Sequence, residues 1–477
     1  MGGLHRGHAQ LIRSAAASRA STALVSIFVN PLQFGAGEDL SRYPRTLAED
    51  IDLADRNGAA AVWAPDVSSI YPNGAEELHR LRVPSSLQRY LCGASRPGHF
   101  DGVATVVARL LVMVKPDVLF LGEKDWQQLV ILRRMVKDLG FTVSVQGVAT
   151  VRDADGLAFS SRNQYLSASE RERARALPRL LRSSEGEPKH LSAALGAAGL
   201  EVEYVERVHP LTLQPCGADA GIALLSAAVR CGTTRLIDHV FLMSRKPLVA
   251  IDGPAGAGKS TVTKAFAEKL GLTYLDTGAM YRAVTWLVQR NGVDPADAAA
   301  VESLLTNLEL SLMSPSGSSQ QVVVNGEDVS NVIRSPEVTA AVSTVAAHPC
   351  VRRALTAQQK RMGVKGGLVA EGRDIGTAVF PDADLKVFLT ATVAERARRR
   401  AIDLKERGFP VPQMQELEAQ IAERDRLDSS RAEAPLVMAD DAVELITDGM
   451  TIESVINALV MAFRARVAEE AWPTPRN

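Results

Sequence analysis

Two stretches of this 477-residue chain carry residue types and spacings suited to handling phosphate. The first is Gly253-Pro254-Ala255-Gly256-Ala257-Gly258-Lys259-Ser260, followed by Thr261. Gly253, Gly256 and Gly258 let successive backbone N–H groups converge on phosphate oxygens, and a helix opening there adds its dipole. Lys259 can reach β- and γ-phosphates, and the Ser260 hydroxyl can coordinate Mg²⁺. The second stretch is His5-Arg6-Gly7-His8. Its imidazoles, three apart on one face of a first helical turn, can act as donors to ATP phosphates and steady a departing pyrophosphate. Gly7 is expected to leave the helix start open to a nucleotide. Alone, this pattern fits a surface histidine pair or a metal site equally well, and spacing reveals no further ligands.

These groups need a scaffold. Residues 23–29 and 118–121 read as strands and alternate with helical stretches such as 9–20 and 103–114, which predicts a parallel α/β sheet. A terminal strand over 235–242 precedes a boundary at Ser244-Arg245-Lys246-Pro247. The apolar run 248–251 then opens a second parallel sheet, and 261–270 follows the glycine-rich turn as a helix. A softer boundary lies near Ala149-Thr150, and polar 182–189 reads as a surface loop. Residues 313–320 are rich in Ser, Gly and Pro, and Asn325-Gly326 after 321–324 is a hairpin signal. No internal repeat suggests a solenoid.

Composition narrows the classes. With 54 basic and 55 acidic residues, no global field draws nucleic acid or an anionic membrane. The four cysteines show no CxxC spacing, which argues against a zinc ribbon or disulfide framework and fits a reducing, cytoplasmic setting. No apolar run reaches the length of a membrane span.

Downstream of the glycine-rich turn come Asp276-Thr277-Gly278-Ala279-Met280-Tyr281-Arg282, Glu371-Gly372-Arg373-Asp374, and Glu423-Arg424-Asp425-Arg426-Leu427-Asp428-Ser429-Ser430-Arg431. Arg398-Arg399-Arg400 would be a solvated helix face in most proteins, but after a P-loop it is a candidate for a lid. On these motifs residues 247–465 resemble bacterial cytidylate kinases, P-loop nucleoside monophosphate kinases. The resemblance implies an acceptor-binding insert at about 276–345 and a lid at about 394–431. It implies that Thr277, Arg282, Ser343, Arg352, Arg373, Asp374, Arg424, Asp428 and Arg431 hold CMP or dCMP. Lys259, Arg373 and Asp374 would serve the transfer itself.

The His-x-Gly-His element also has companions in order: Asn30-Pro31-Leu32-Gln33-Phe34, Tyr43-Pro44-Arg45-Thr46, Ser95-Arg96-Pro97-Gly98-His99-Phe100, Gly122-Glu123-Lys124-Asp125-Trp126-Gln127-Gln128 and Phe159-Ser160-Ser161-Arg162-Asn163. Together they resemble pantothenate synthetase (pantoate–β-alanine ligase), a HIGH-type nucleotidyltransferase. The resemblance implies a Rossmann-like domain over 1–148 and a small α+β subdomain over 149–244. It implies ATP contacts from Met1, His5, His8, Gly122, Lys124, Asp125, Ser160, Ser161 and Arg162, with His8 and Lys124 catalytic. Gln33 and Gln128 would hold pantoate. Relative to that family a leading strand before the His-x-Gly-His loop is expected to be missing.

The sequence therefore predicts a two-enzyme fusion, with a kinase domain over 247–477. Both sites would use Mg-ATP, and the partners would be pantoate, β-alanine and CMP or dCMP, with no nucleic acid or membrane. The resemblance to the ligase family also implies a homodimer through that half. The alternative is an active kinase carrying an impaired, ligase-like scaffold.

Overall fold

The computed structural model describes residues 2–17, 22–35, 38–313, 320–406, 408–431 and 433–475. The chain forms two compact units: Met1–Ser244 with Ala468–Pro473, and Arg245–Val467 with Thr474–Asn477. The expected kinase span of 247–477 thus contains six residues that cluster with the first unit. No helix among the described residues is long and apolar enough to cross a membrane.

In the first unit, Leu24–Ser26 pairs in parallel with Ala61–Trp63, and Val118–Gly122 pairs in parallel with Ser144–Val148. Among the described residues no strand joins these two pairs. Helix His99–Val114 buries Phe100, Val103, Ala104 and Leu111, and helix Trp126–Asp138 buries Trp126, Leu129, Ile131 and Leu132. The first of these lies tight against the turn Pro31–Gln33. A Cβ on Gly102 would stand 2.2 Å from the Leu32 carbonyl oxygen, so only glycine permits that approach. Beyond residue 149, three antiparallel strands, Glu201–Val208, Ile222–Cys231 and Thr234–Met243, form a sheet with Ile222–Cys231 in the middle. Leu177, Leu181, Leu191 and Leu195 from helices Ala176–Ser183 and Pro188–Ala197 pack in a cluster with Leu225, Ala227 and Val229 of that sheet.

The second unit holds a five-stranded parallel sheet in the order Val443–Ile446, Leu385–Thr390, Leu248–Asp252, Leu368–Gly372, Thr273–Asp276. Every residue of the central strand Leu248–Asp252 is buried, as a continuous apolar run in a covered parallel sheet should be. Residues Leu310–Met313, Gln321–Val324 and Glu327–Asp328 add a small antiparallel sheet. Its hairpin turns at Asn325 and Gly326, both left-handed with φ of 48° and 83°, the backbone an Asn-Gly pair supplies most easily.

Candidate active sites

The first site starts at helix Arg6–Ala16, for which His5 is the N-cap. His5 Nδ1 accepts the Gly7 N–H at 3.1 Å, and His8 Nδ1 accepts the His5 N–H at 3.2 Å. A ring nitrogen that accepts a backbone hydrogen carries none, so each neutral ring keeps its proton on Nε2 and can donate it. Burial, with Lys124 adding repulsion, pulls His5 down to about 4. Burial and the adjacent His5 ring pull His8 well below its ordinary value. The ring centroids are 4.0 Å apart. Gly7 also has a packing role: a Cβ there would meet the His5 ring at 2.9 Å. Its hydrogen makes room for that imidazole.

Strand Val118–Gly122 ends at Gly122, and a single 3₁₀ turn, Glu123–Asp125, delivers Lys124 and Asp125 to the pocket. Lys124 Nζ lies 3.6 Å from Asp125 Oδ1. Gln128, Ser160 and Arg162 line the same pocket. The neighbouring Gln127 is occupied structurally: its amide donates to the Leu87 and Tyr90 carbonyls and accepts from the Gly93 N–H. Gln33 belongs to the turn that Asn30 secures. Asn30 is buried, donates to the Gly102 carbonyl and to Gln33 Oε1, and accepts from the Tyr71 hydroxyl. Ser160 Oγ caps the turn Ser161–Tyr165, Ser161 reaches the Tyr43 hydroxyl, and Arg162 forms a two-pronged pair with Asp39 at 2.7 and 2.8 Å. Met1 lies outside the described residues.

Several residues here had no role in the sequence reading. Arg96 pairs with Glu38 at 2.6 Å and donates to the Gln33 carbonyl. His99 Nδ1 donates to that same carbonyl at 2.8 Å, which leaves its Nε2 to accept from Arg96 at 3.0 Å. Burial, then Arg96, brings His99 down to about 4. Arg96 and His99 were visible as members of the motif 95–100. Glu38 and Asp39 gave no local signal, because only the tertiary fold brings them to their arginines. Among the described residues no three His, Cys, Asp or Glu side chains cluster to cage a metal, so the metal reading of the histidine pair finds no further ligands.

In the second unit the glycine-rich turn follows the central strand. A Cβ on Gly253 would overlap the Leu389 carbonyl oxygen at 1.9 Å, while Gly256 and Gly258 take left-handed φ of 76° and 84°. Helix Lys259–Leu270 begins there, bringing Lys259, Ser260 and Thr261 to the cleft. Lys259 Nζ donates to the Gly253 and Pro254 carbonyls at 2.6 and 2.8 Å. Burial, then the Arg373 charge, lowers its pKa far below the usual lysine range. Ser260 donates to Glu371 Oε1 at 2.6 Å, and Tyr274 donates to the same oxygen at 2.9 Å. The other oxygen, Glu371 Oε2, is buried without a hydrogen-bond partner.

Thr277, Arg282, Ser343, Arg352, Arg373, Asp374, Arg424, Asp428 and Arg431 all line this cleft. Most of its cations are held by its own carboxylates. Arg282 pairs with Asp276 at 2.9 Å, Arg373 pairs with Asp428 at 2.6 Å, Arg352 pairs with Asp374, and Arg431 also pairs with Asp428. The arginine run divides by reach. Arg398 and Arg400 pair with Glu395 and Asp403 on their own helix, whereas Arg399 pairs with Glu395 and also donates to the Ala257 carbonyl of the P-loop. Arg396, just before the run, is buried, donates to the Ala255 carbonyl and forms a double pair with Asp425. No local pattern separates Arg396 and Arg399 from their exposed neighbours.

Residues 1–241 match the family model described as pantoate-beta-alanine ligase, and residues 249–465 match the one described as cytidylate kinase. The chain is 70% identical over 477 residues to a bifunctional pantoate ligase/cytidylate kinase of Parasynechococcus marenigrum (strain WH8102), covering all of this chain and 95% of that one. It is also 70% identical to the protein of that description from Synechococcus sp. (strain CC9605), covering all of this chain and 99% of the relative. Among solved structures, pantothenate synthetase from Thermus thermophilus is similar at 45% identity, with a TM-score of 0.47, over 50% of this chain and 90% of that one.

Proposed function

The chain belongs to the family of bifunctional pantoate ligase/cytidylate kinases, and from that premise we propose how its two sites divide the work. The first unit condenses pantoate with β-alanine at the expense of ATP, and the second transfers a phosphoryl group from ATP to CMP or dCMP.

In the ligase reaction the pantoate carboxylate attacks the α-phosphorus of ATP and pyrophosphate leaves. The amine of β-alanine then attacks the acyl carbon of pantoyl adenylate and AMP leaves. Neither step needs a side-chain nucleophile, so positioning and charge stabilisation carry the rate. His5 and His8 offer Nε2–H donors to the phosphates, Lys124 neutralises charge at the reacting phosphorus, and Ser160, Ser161, Arg162, Gly122 and Asp125 seat the nucleotide. Gln33 and Gln128 orient pantoate through neutral amides, suited to its hydroxyls. What most supports this reading is the Nδ1 contact of each histidine, which commits both rings to donation from Nε2. No observation favours the impaired-scaffold alternative.

In the kinase, the glycine-rich backbone and Lys259 hold the ATP phosphates, and Thr277, Arg282, Ser343, Arg352, Arg373, Asp374, Arg424, Asp428 and Arg431 receive the acceptor nucleotide. Of these, Arg373 and Asp374 meet the cytosine and its phosphate and serve the transfer itself. The oxygen donors Ser260 and Glu371, one oxygen of the latter buried and unpartnered, fit a hard divalent cation such as Mg²⁺. Bound with ATP, Mg²⁺ supplies charge neutralisation across the phosphates. We place the protein in the cytoplasm, as a homodimer through the ligase unit. Purified protein should make pantothenate and AMP in equal amounts from pantoate, β-alanine and ATP, and CDP from CMP and ATP. Failure of either reaction would remove that half of the reading.

A further inference from the structure

The first unit is completed by a segment that neither family match includes. Residues 468–473 follow the kinase-matched span, which ends at 465, yet they belong to the first unit. Ala468 is buried in that unit's apolar core with Trp126, Leu129 and Val130, and Ala471 packs against the same cluster. The backbone N–H groups of Glu469 and Glu470 donate to the two oxygens of the Glu123 carboxylate, at 2.9 and 3.0 Å. The Glu470 side chain accepts from Thr150 at 2.8 Å and from Arg152 at 3.0 Å, and Arg152 also grips Asp238 with two bonds.

Glu123 is almost wholly buried and directly precedes Lys124 in the turn Glu123–Asp125. A buried carboxylate needs strong donors, and two charge-assisted backbone bonds are such donors. The surrounding chain is shaped for it. Gly147, opposite Leu121 in the parallel pair, is a glycine whose Cβ would meet Glu123 Oε1 at 2.9 Å. Without the segment the carboxylate loses both of these donors, and the turn that aims Lys124 loses its anchor.

We propose that Glu469 and Glu470 are positioning residues of the ligase site: their backbone N–H groups clasp Glu123 and so fix the turn that carries Lys124. This rests on the reading of Lys124 as the cation at the reacting phosphate. The test compares the full chain with a chain ending at Val467 and with Glu123→Gln, by pantoate-dependent exchange of pyrophosphate into ATP and by CMP phosphorylation. Both variants should lose at least about tenfold in exchange kcat, with KM for ATP and pantoate and the CMP rate all within about twofold. A synthetic peptide of residues 466–477 should restore exchange to the shortened chain. In a Lys124→Ala background the same truncation should change the residual exchange rate by less than about twofold, which a merely structural loss would not reproduce. Unchanged exchange kcat in both variants overturns the proposal, as does an equal fall with and without Lys124. Hydrogen exchange on the intact chain gives an answer independent of activity. The amides of Glu469 and Glu470 should be protected, and exchange at free-chain rates overturns the proposal. Absence of exchange activity in the intact chain, with those amides protected, would instead count against the role given to Lys124.

Discussion

In the first unit the groups at the start of helix Arg6–Ala16 are two imidazoles whose burial, with Lys124 nearby, pulls them below their ordinary titration range. In the second unit the cleft beside the P-loop is crowded with guanidinium groups, four of them held by Asp276, Asp374 and Asp428. The two arrangements suit two different tasks. Pyrophosphate must depart from the ligase, and on the assignment proposed above the neutral histidine donors stabilise its charge as it develops without gripping the ground state as ammonium groups would. The kinase must draw two polyanions together, and on the assignment proposed above its carboxylates, Asp428 holding both Arg373 and Arg431, keep the arginines in place until substrate phosphates displace them.

The largest expected effects separate the sites outright. Lys259→Ala should lower CMP phosphorylation by about a hundredfold or more, and leave pantothenate formation within a few-fold. Lys124→Ala should do the reverse. Steady-state rates for both reactions on both variants decide it, and parallel losses would break the separation of the sites.

A smaller effect probes how the imidazoles are held. Gly7→Ala places a methyl group 2.9 Å from the His5 ring, so the ring must rotate away from the Gly7 N–H. Displacement by about 1 Å can cost about a hundredfold in rate, and we expect at least a tenfold loss in ligase kcat with kinase activity unchanged. Unaltered ligase kinetics would show that His5 need not be held in this ring position.

How far such details could be read from sequence differs by unit. The P-loop was legible because its chemistry is local: strand, glycines, lysine and helix are consecutive, so 253–261 specifies its own geometry. The histidine element was legible only through its companions, and the reason for Gly7 was not, since it depends on a ring rotamer. The pairs Arg162–Asp39 and Arg96–Glu38 join residues 123 and 58 positions apart, which no local pattern encodes. Most remote was the contact of Glu123 with residues 469 and 470, across 346 and 347 positions.

Within the kinase the comparison sharpens by substrate. Arg282, held by Asp276 beside the cleft, should on replacement by Ala raise the KM for CMP about tenfold while the KM for ATP stays within about twofold. If the ATP value rises instead, the donor and acceptor sides of the cleft are the reverse of those assigned to it.

The smallest expected effect concerns stability, and its sign differs between the units. His5 and His99 titrate at about 4 when folded against 6.5 for an ordinary histidine, so between those values the unfolded chain binds more protons. The stability of the first unit should therefore fall as pH drops from about 6.5 toward about 4. Asp252 runs the other way. Burial raises it to about 6 from 3.8, despite the N–H groups of Ile375 and Gly376 that favour its charge. The folded second unit binds the extra proton in that window, so Asp252 contributes stability that is present at lower pH and lost as pH rises through about 6. Calorimetric melts at pH 5.0, 5.8 and 6.5 should resolve this as shifts of a few degrees, about what 1 kcal/mol produces in units of this size. His99→Gln should flatten the acid loss of the first unit, and Asp252→Asn should remove the opposing slope from the second. If acid lowers both transitions alike and neither substitution changes the slopes, the contrast between neutral histidines and a raised carboxylate does not govern the stability of either unit.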